Sequence, residues 1–480
     1  MLGGVLGGVL GGCASSPDVA PPPLPVAAPA HWIEGSGAAE GEITPQWWRS
    51  FGEAELDVFV ERVLSRNHDL AAASARLEAA IVQGRIGGAD LWPTLDAGLT
   101  GDRQRRVFVG FPFGTGGVPS LTYNLFGVSL ATSWELDLWG RVRAGASAAH
   151  AEADAAAADF AGAALSLAGQ SCKAWFAAVE AQQQVELARA TLQSYSTTAA
   201  RAHDRFARGI GDAVEVRLAE SNLASAESNL ERQRDGLQAA RRQLDELAGD
   251  YPAADAPTGL SLPPPPPPAP AGLPADLVAR RPDLVAVERR VAAANLRTDQ
   301  ARAALYPRIA LTGSLGTSTD AFDKLLDGDY FVWALGANLL QPLFAGGKLR
   351  AQVELDAARA RELGAQWSSL VLRAYREVEQ TLASERFAAA QRAALTRAVD
   401  EAVAAETLAQ ERYGRGLTSF LEVLEAQRRV LGSRAELIAV DRRRLDLRID
   451  LLLALGGGFG PIREPRDLTA PPRAATSSTP

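Results

Sequence analysis

Cysteine, histidine and the motifs built on them are scarce in this chain. Its 480 residues include only two cysteines and four histidines, and none stands at the spacing of metal ligands. The sequence also lacks a glycine-rich phosphate loop after a strand, a nucleophile elbow and an HExxH motif. We therefore expect no catalytic residue, no metal site and no cofactor.

Negative charges outnumber positive charges in the chain, and aromatic residues are few. The chain has 49 Lys and Arg against 57 Asp and Glu, a net charge of −8, so the basic face that nucleic acid requires is not expected. Aromatic residues make up 6% of the chain and apolar residues 47%, and much of the apolar content is alanine. Stretches rich in Ala, Arg and Glu favour long helices. The composition predicts a mainly helical protein that does not bind nucleic acid.

A long pattern occurs twice in the chain. Residues 67–93 (NHDLAAASARLEAAIVQGRIGGADLWP) align without a gap with residues 281–307 (RPDLVAVERRVAAANLRTDQARAALYP), and residues 209–219 match residues 416–426. A repeat of this length is usually one supersecondary unit used twice. Each copy reads as helix, two strands, long helix, turn and helix.

The N-terminal residues look like a processing segment. Residues 1–12 are apolar and glycine-rich, and the sequence Leu-Gly-Gly-Cys that ends at Cys13 resembles a bacterial lipobox. This resemblance implies a signal peptide over 1–12, lipidation of Cys13 and a lipidated, Pro-rich tether over 13–46. Ala14, where an Asp would favour inner-membrane retention, implies sorting to the outer membrane. The alternative is a chance cysteine after an apolar leader. Residues 459–480 are predicted to form a disordered tail.

Four segments are predicted to be strands, at about 94–105, 124–138, 309–318 and 331–341. In the second, large apolar residues alternate with small or polar ones, a pattern typical of a membrane barrel strand and also of an ordinary half-buried strand. Four strands cannot close a membrane barrel, and an open edge in lipid leaves backbone groups unsatisfied. If these strands span a membrane, several chains must share one barrel.

The helices after each pair of strands are predicted to be very long. No proline occurs from residue 140 to about 207, which corresponds to roughly 100 Å of helix. Beyond each turn the apolar residues step by three and four, the pattern of a coiled coil. Residues 251–274 join the two copies and include six consecutive prolines at 263–268, so a stiff, extended linker is expected there.

Several short segments together resemble the TolC/OprM family of outer-membrane efflux proteins, most closely the NodT-type lipoproteins of RND efflux systems. The matching segments are residues 47–52, 134–140, 277–288, 301–307, 341–347, 424–428 and 454–458. The resemblance covers the chain from Trp47 to about Gly458. It implies a first outer-membrane efflux repeat over 47–250 and a second over 275–458, separated by the linker.

The family resemblance implies the fold class. We expect a mainly α protein with a membrane β-barrel portion: a trimeric, TolC-like α/β-barrel with two internal repeats. Each protomer contributes four strands to a 12-stranded β-barrel, which stands on a long periplasmic α-helical barrel. The Pro-rich linker and the chain ends are expected to form an equatorial belt.

The resemblance also implies function and partners. We expect the outer-membrane exit duct of a tripartite RND-type efflux pump, through which drugs or other small molecules pass from periplasm to exterior. The implied partners are two further copies of the chain, a periplasmic adaptor (membrane-fusion) protein, an inner-membrane RND transporter and outer-membrane lipid. The alternatives are an exit duct for proteins or peptides and a non-channel coiled-coil scaffold lipoprotein. The two alternating hairpins argue against the scaffold.

By resemblance, functional residues concentrate at the two helix–turn–helix reversals. The implied periplasmic gate comprises Leu421, Glu422, Glu425, Arg428, Tyr413 and Glu215. The implied adaptor-docking tips comprise Arg208, Gly209, Ile210, Arg415, Gly416 and Leu417. For Glu422 and Glu425, the alternative to a gate is that they belong to a solvated face of the coiled coil.

The two copies differ at the reversals. Where some family members place an arginine two residues after the tip glycine, this chain has Thr418, so one inter-helix contact of the family is not expected. The second copy carries more leucine and acidic residues at matched tip positions. We therefore predict that the second copy lines the gate and the first supports it from outside.

Overall fold

A computed structural model describes residues 22–34, 43–109, 119–256, 259, 261–270, 272 and 274–458. Within these ranges the chain forms eight α-helices and four β-strands. The helices are α1 Ala54–Arg66, α2 His68–Ala89, α3 Arg141–Ala207, α4 Ala213–Leu247, α5 Leu277–Arg280, α6 Pro282–Ala303, α7 Lys348–Gly414 and α8 Phe420–Ala454. The strands are β1 Thr94–Val107, β2 Ser120–Leu136, β3 Arg308–Thr317 and β4 Phe331–Leu340. The predicted signal peptide, Cys13 and the C-terminal tail lie outside the described residues.

Helix lengths repeat between the two halves of the chain. Helices α2 and α6 have 22 residues each, α3 and α7 have 67, and α4 and α8 have 35. At 1.5 Å per residue, α3 and α7 each extend roughly 100 Å. The sequence repeat is therefore one structural unit used twice, with matched helices and hairpins of different length.

Prolines mark the change from helix to strand in both copies. Helix α2 ends before Pro93 and β1 begins at Thr94, while α6 ends before Pro307 and β3 begins at Arg308. A proline pushes the preceding residue into extended geometry and has no N–H to continue the helix. The same residue type therefore sets the same boundary twice.

The chain divides into two compact units. The first contains Glu78–Ala155 and Val287–Gln366, and the second contains Pro23–Leu77, Ala156–Ala286 and the chain from Trp367 onward. The first unit holds one antiparallel sheet in the order β1-β2-β3-β4. Among the described residues, no helix combines the length and the apolarity that crossing a membrane requires.

Strand register separates the sheet into two chemically different faces. Directly paired residues share a face, and the pairs Leu99↔Val128, Trp134↔Leu311 and Leu315↔Trp333 join large apolar side chains across all four strands. The neighbouring pairs Gly98↔Ser129, Ser133↔Thr312 and Thr312↔Gly336 join small or polar residues. The apolar face is open in the single chain: Leu335 is 81% exposed and Trp333 is 67% exposed.

The first hairpin is longer than the second. Strands β1 and β2 pair from Thr94↔Ser133 to Val107↔Ser120, whereas β2 and β3 pair only as far as Ser129↔Gly316. Strand β2 covers Ser120–Leu136, against the predicted 124–138. It stops at Leu136 because the carboxylate of Asp137 accepts the backbone N–H groups of Val142 and Arg143 and so caps α3.

Aromatic side chains form the core of the second unit where α1 meets α3. The ring of Phe51 packs at 5.3 Å from that of Phe176, and Phe59 lies 5.5 Å from Trp175. Cys172 is fully buried in the same stretch of α3, and burial raises the pKa of its thiol. Cys172 is thus a small, un-ionised core residue.

Two non-helical segments are tied to the long helices of this unit. In the Pro-rich linker, the backbone oxygens of Pro266 and Pro267 accept hydrogen bonds from Arg448 on α8, and Arg448 also pairs with Glu385 on α7 at 2.6 Å. Near the N-terminus, Trp32 packs edge-on against Tyr375 of α7 at 6.0 Å. The linker is therefore held against α8 and the N-terminal segment against α7, while the equatorial belt stays a prediction.

Candidate functional site at the helix reversals

Both helix–turn–helix reversals have the same backbone geometry. Gly209 and Gly416 adopt left-handed φ values of 73° and 76°. At the first reversal the N–H of Ile210 donates to Arg205 O at 3.0 Å, and at the second Leu417 donates to Arg412 O at 2.9 Å. This pattern is the Schellman motif, in which glycine at the left-handed position closes the helix and satisfies its last carbonyls.

The predicted docking residues lie on these two loops and are open to solvent. Ile210 is 62% exposed and Leu417 is 63% exposed, and a Cβ added to the glycine before either of them would meet no atom within 4 Å. Arg208 and Arg415 flank the same glycines and are exposed. Each reversal therefore presents an arginine and a large apolar side chain side by side.

Below the loops, all four long helices contribute to one apolar cluster. Its buried members are Tyr195, Ala199 and Ala202 from α3, Ala219 and Ala226 from α4, Tyr413 from α7, and Phe420, Val423 and Leu424 from α8. Alanines dominate the first copy and larger side chains the second. Small residues allow the helices to approach closely, so the cluster holds the two reversals together.

Tyr413 joins the two copies at the edge of this cluster. Its hydroxyl donates to Glu215 on α4 at 2.7 Å, the Arg205 guanidinium lies 4.6 Å from its ring centroid, and the Phe420 ring lies 5.5 Å away. Burial and the Glu215 carboxylate raise the pKa of Tyr413 to about 12. The hydroxyl therefore stays protonated and acts as a donor at physiological pH.

The second-copy glutamates, Glu422 and Glu425, have partners on α8 or on the two residues before it. Glu422 accepts hydrogen bonds from the hydroxyl groups of Thr418 and Ser419, the two residues that precede α8. The Thr418 hydrogen bond is the main favourable contact that lowers the pKa of Glu422. Glu425 pairs with Arg428 at 2.9 Å. The lowered pKa keeps Glu422 ionised at neutral pH.

Leu421 and Glu425 project away from the cluster. Leu421 is 62% exposed, and the Glu425 side chain is 56% exposed in its ion pair with Arg428. Helix α8 thus turns one face, including Phe420 and Leu424, into the cluster and presents a different face that carries the leucine and the carboxylates.

Equivalent positions of the two copies have different partners. Glu215 and Glu422 occupy matched places in the repeat, as do Phe206 and Tyr413. Tyr413 bonds to Glu215, but Phe206 has no hydroxyl with which to bond to Glu422 in the same way. The tyrosine contact therefore forms once per chain and breaks the symmetry of the repeat.

Sequence reasoning missed three residues of this site. Arg205 and Phe420 pack against Tyr413, and the buried side chain of Gln427 donates to Ser194 and Thr198 on α3. The repeat alignment matches Arg205 with Arg412 near the second reversal, and this match could have identified Arg205 as a tip residue. The sequence contains no signal for Gln427, because its partners lie more than 200 positions away.

A second group of charges lies farther along α3 and α8. Arg442 bonds to Glu180 at 3.2 Å and to Asp446 at 2.9 Å, and Lys173 contacts Asp450 at 2.5 Å. The Oδ1 atom of Asp446 is buried and accepts no hydrogen bond within the described structure. Burial raises the pKa of Asp446 to about 6.

The described side chains at these sites offer charge and hydrogen bonding. Within the described ranges, no three His, Cys, Asp or Glu side chains come together as ligands for a metal ion. The reversals combine a rigid turn, an exposed apolar and basic loop, and carboxylates on one helix face. Such an arrangement can bind a protein surface and can set the charge along a passage.

The chain thus combines a four-stranded sheet that has one large apolar face with two 67-residue helices that end at glycine loops. The profile of the family described as "Outer membrane efflux protein" matches residues 59–250 and 273–457. The chain therefore belongs to the outer membrane efflux protein family.

Individual proteins resemble the chain over nearly its whole length. The "Pyoverdine export outer membrane protein OpmQ" of Pseudomonas putida is 30% identical over 444 residues, 92% of this chain and 94% of that protein. "Nodulation protein T" of Rhizobium leguminosarum bv. viciae is 30% identical over 464 residues, 96% and 93% of the two chains. The solved structure of the outer-membrane channel OprN superposes with a TM-score of 0.85 at 26% identity, covering 93% of this chain and 99% of that one.

These findings confirm the family, the fold class and the outer-membrane location that the sequence predicted. They also confirm a role in efflux. The boundaries of the two repeats and the roles of the individual tip residues remain predictions.

Proposed function

We propose that three copies of this chain form the exit duct of a tripartite efflux pump. The observation that carries the proposal is the four-stranded sheet, which has a large apolar face, a small and polar face, and two open edges, β1 and β4. A barrel in lipid must be closed and needs about eight strands or more. Three sheets side by side supply twelve strands, with the apolar face toward lipid and the polar face toward the lumen.

The duct is gated at the helix reversals. The Tyr413–Glu215 hydrogen bond at 2.7 Å ties α7 to α4 and holds the closed arrangement. Leu421, Glu422, Glu425 and Arg428 line the entrance from α8. In a trimer, three sets of these carboxylates surround one axis, where they repel each other and favour cations. The first copy supports this entrance from outside.

The loops at the tips dock a periplasmic adaptor protein. Exposed Ile210 and Leu417 provide apolar anchors, and Arg208 and Arg415 provide charge for orientation. The adaptor connects the duct to an inner-membrane transporter of the RND class, which supplies the energy. Docking opens the duct by separating the helices that the Tyr413 contact holds together.

The cargo is a drug or another small molecule. The name of OpmQ, a relative over 92% of this chain, refers to export of a small molecule, which favours this class over secretion of proteins or peptides. A non-channel scaffold has no use for the apolar sheet face, on which Leu335 is 81% exposed.

Conductance of the purified protein in planar bilayers tests the proposal. The wild-type duct is expected to show small, cation-selective conductance, and the E422Q/E425Q variant is expected to conduct more and to select less. E231Q is the matched control, because Glu231 forms the same kind of exposed ion pair with an arginine three residues on. If neither the wild type nor E422Q/E425Q conducts, the chain is not a duct.

A further inference from the structure

The outward face of the first hairpin changes character along its length. Paired residues Ala97↔Leu130, Leu99↔Val128 and Gly101↔Phe126 continue the apolar face of the sheet. The next pairs on that face are Arg103↔Asn124 and Arg105↔Thr122. The apolar face therefore ends in two arginines on the same strand, two residues and about 7 Å apart.

These arginines lie on the part of the hairpin that extends past the rest of the sheet. Regular pairing of β2 with β3 ends at Ser129↔Gly316, and one isolated bridge, Phe126↔Thr319, lies beyond it. The opposite ends of all four strands connect to helices, because β1 and β3 follow α2 and α6 while β2 and β4 lead into α3 and α7. If the helices are periplasmic, the arginines stand at the extracellular end of the membrane-spanning region.

Aromatic rings mark the boundary just below the arginines. Phe126 packs edge-on against Phe322 at 5.7 Å, and Phe322 is 66% exposed. Aromatic residues concentrate where the hydrocarbon of a membrane gives way to lipid headgroups. Arg103 and Arg105 are the first charged residues beyond this boundary on the same face.

Among the outward residues of the described hairpin around the arginines, none is acidic. In the described hairpin, the outward residues beyond Phe126 are Arg103, Arg105, Val107, Ser120, Thr122 and Asn124. Arg105 is oriented by a hydrogen bond to Ser120 Oγ at 3.1 Å. Asp102 and Arg106 belong to the opposite face, where Arg106 lies 6.0 Å from the ring of Tyr123.

We propose that Arg103 and Arg105 bind the phosphate groups of lipids in the outer leaflet of the outer membrane. Guanidinium groups hold phosphate oxygens with two parallel hydrogen bonds, and hydroxyl and amide groups of Ser120, Thr122 and Asn124 add further donors. The lipid chains continue onto the apolar face below. The inference rests on the proposed membrane-spanning arrangement of the sheet.

The position of the arginines favours a lipid over free phosphate. They are exposed and directly continuous with the apolar face of Leu99, Val128 and Leu130. A phosphorylated lipid occupies both surfaces at once, whereas inorganic phosphate uses only the arginines. When one lipid molecule contacts both the arginines and the apolar face, the second contact is intramolecular and strengthens the overall binding.

The test measures binding of fluorescent, bis-phosphorylated lipid A to the purified full-length protein in detergent. R103Q/R105Q is expected to weaken binding about 25-fold, and each single substitution about 5-fold. R106Q, which removes the same charge from the opposite face, is expected to stay within about 2-fold of the wild type. Dephosphorylated lipid A is expected to bind wild type and R103Q/R105Q equally weakly.

Three results would overturn the proposal. They are unchanged binding by R103Q/R105Q, an equal loss in R106Q, and full displacement of the lipid by millimolar inorganic phosphate.

If R103Q/R105Q fails to assemble, R103K/R105K keeps the charge and is expected to retain part of the binding. Conductance of R103Q/R105Q is measured in parallel. A protein that binds the lipid but never conducts contradicts the duct and leaves the lipid site standing.

Discussion

Tyr413 brings the two repeat copies together through one hydroxyl group. Y413F keeps the ring contacts with Arg205 and Phe420 and removes only the hydrogen bond to Glu215. A hydrogen bond to a charged acceptor contributes about 1.5–3 kcal/mol, less when partly exposed. We expect single-channel recordings of Y413F to show an open probability about 5- to 30-fold higher.

E215Q is the matched control for this substitution. Its amide oxygen still accepts a hydrogen bond from Tyr413, so a smaller increase in open probability is expected than in Y413F. Equal open probabilities for Y413F and the wild type would show that the contact does not hold the gate closed.

Asp446 is the residue at which pH should alter stability. Its pKa in the folded protein is about 6, above the ordinary value of 3.8. Between about pH 4 and 6 the folded state therefore binds more protons than the unfolded state, and stability falls as the pH rises through that window. D446N carries no ionisable carboxyl, so at pH 7.5 it is expected to be more stable than wild type by about 1–2 kcal/mol.

Denaturant unfolding in detergent at pH 7.5 and at pH 4 checks this expectation. The advantage of D446N should disappear near pH 4, where Asp446 is protonated in the folded wild type. D450N removes the partner of Lys173, a carboxylate that is a minor cause of the raised pKa of Asp446, and should give a smaller gain at pH 7.5 than D446N. A D446N protein no more stable than wild type at pH 7.5 would contradict the prediction.

At the scale of elements, the reversals depend on a single glycine each. Gly416 has a φ of 76°, a conformation that costs an alanine about 1 kcal/mol. Gly414, two residues earlier, is the last residue of α7 and has open space around it, so alanine there favours the helix. We expect G416A to lower the thermal unfolding midpoint and G414A to raise it slightly. Loss of stability in both variants would show that the loop tolerates no side chain at all.

A lysine substitution should impair assembly on one face of β4 and be tolerated on the other. Leu335 lies on the apolar face, paired with Gly313, and Asn338 lies on the other face, paired with Ala310. A lysine facing mid-membrane lipid costs about 2–4 kcal/mol, while a lysine facing the lumen remains hydrated. L335K should therefore reduce the amount of assembled protein in outer-membrane fractions, and N338K should not. The reverse result would invert the assignment of the faces.

At the scale of the whole molecule, the open edges of β1 and β4 require partners. The purified protein should have about three times the 50.7 kDa mass of one chain in sedimentation experiments corrected for detergent. A stable monomer in detergent that still conducts in bilayers would contradict the shared barrel, because four strands cannot enclose a pore.

Much of this organisation was predictable from local pattern. Periodicity of two identified the strands, the absence of proline identified the 67-residue helices, and tip glycines identified the reversals. Partners such as Gln427 with Ser194 and Arg448 with the linker prolines were not predictable, because each contact depends on which helix faces meet. Tyr413 and Glu215 were expected at the gate only through the family resemblance.

The sequence by itself determined the repeat, the long helices, the alternating strands and the turn positions, because each depends on residues close together in the chain. The tertiary structure alone decided which carboxylate bonds to Tyr413, that Asp446 has a buried Oδ1 without a hydrogen-bond partner, and where the apolar sheet face gives way to Arg103 and Arg105. These features depend on register and packing between segments far apart in sequence, where small changes in alignment exchange one partner for another.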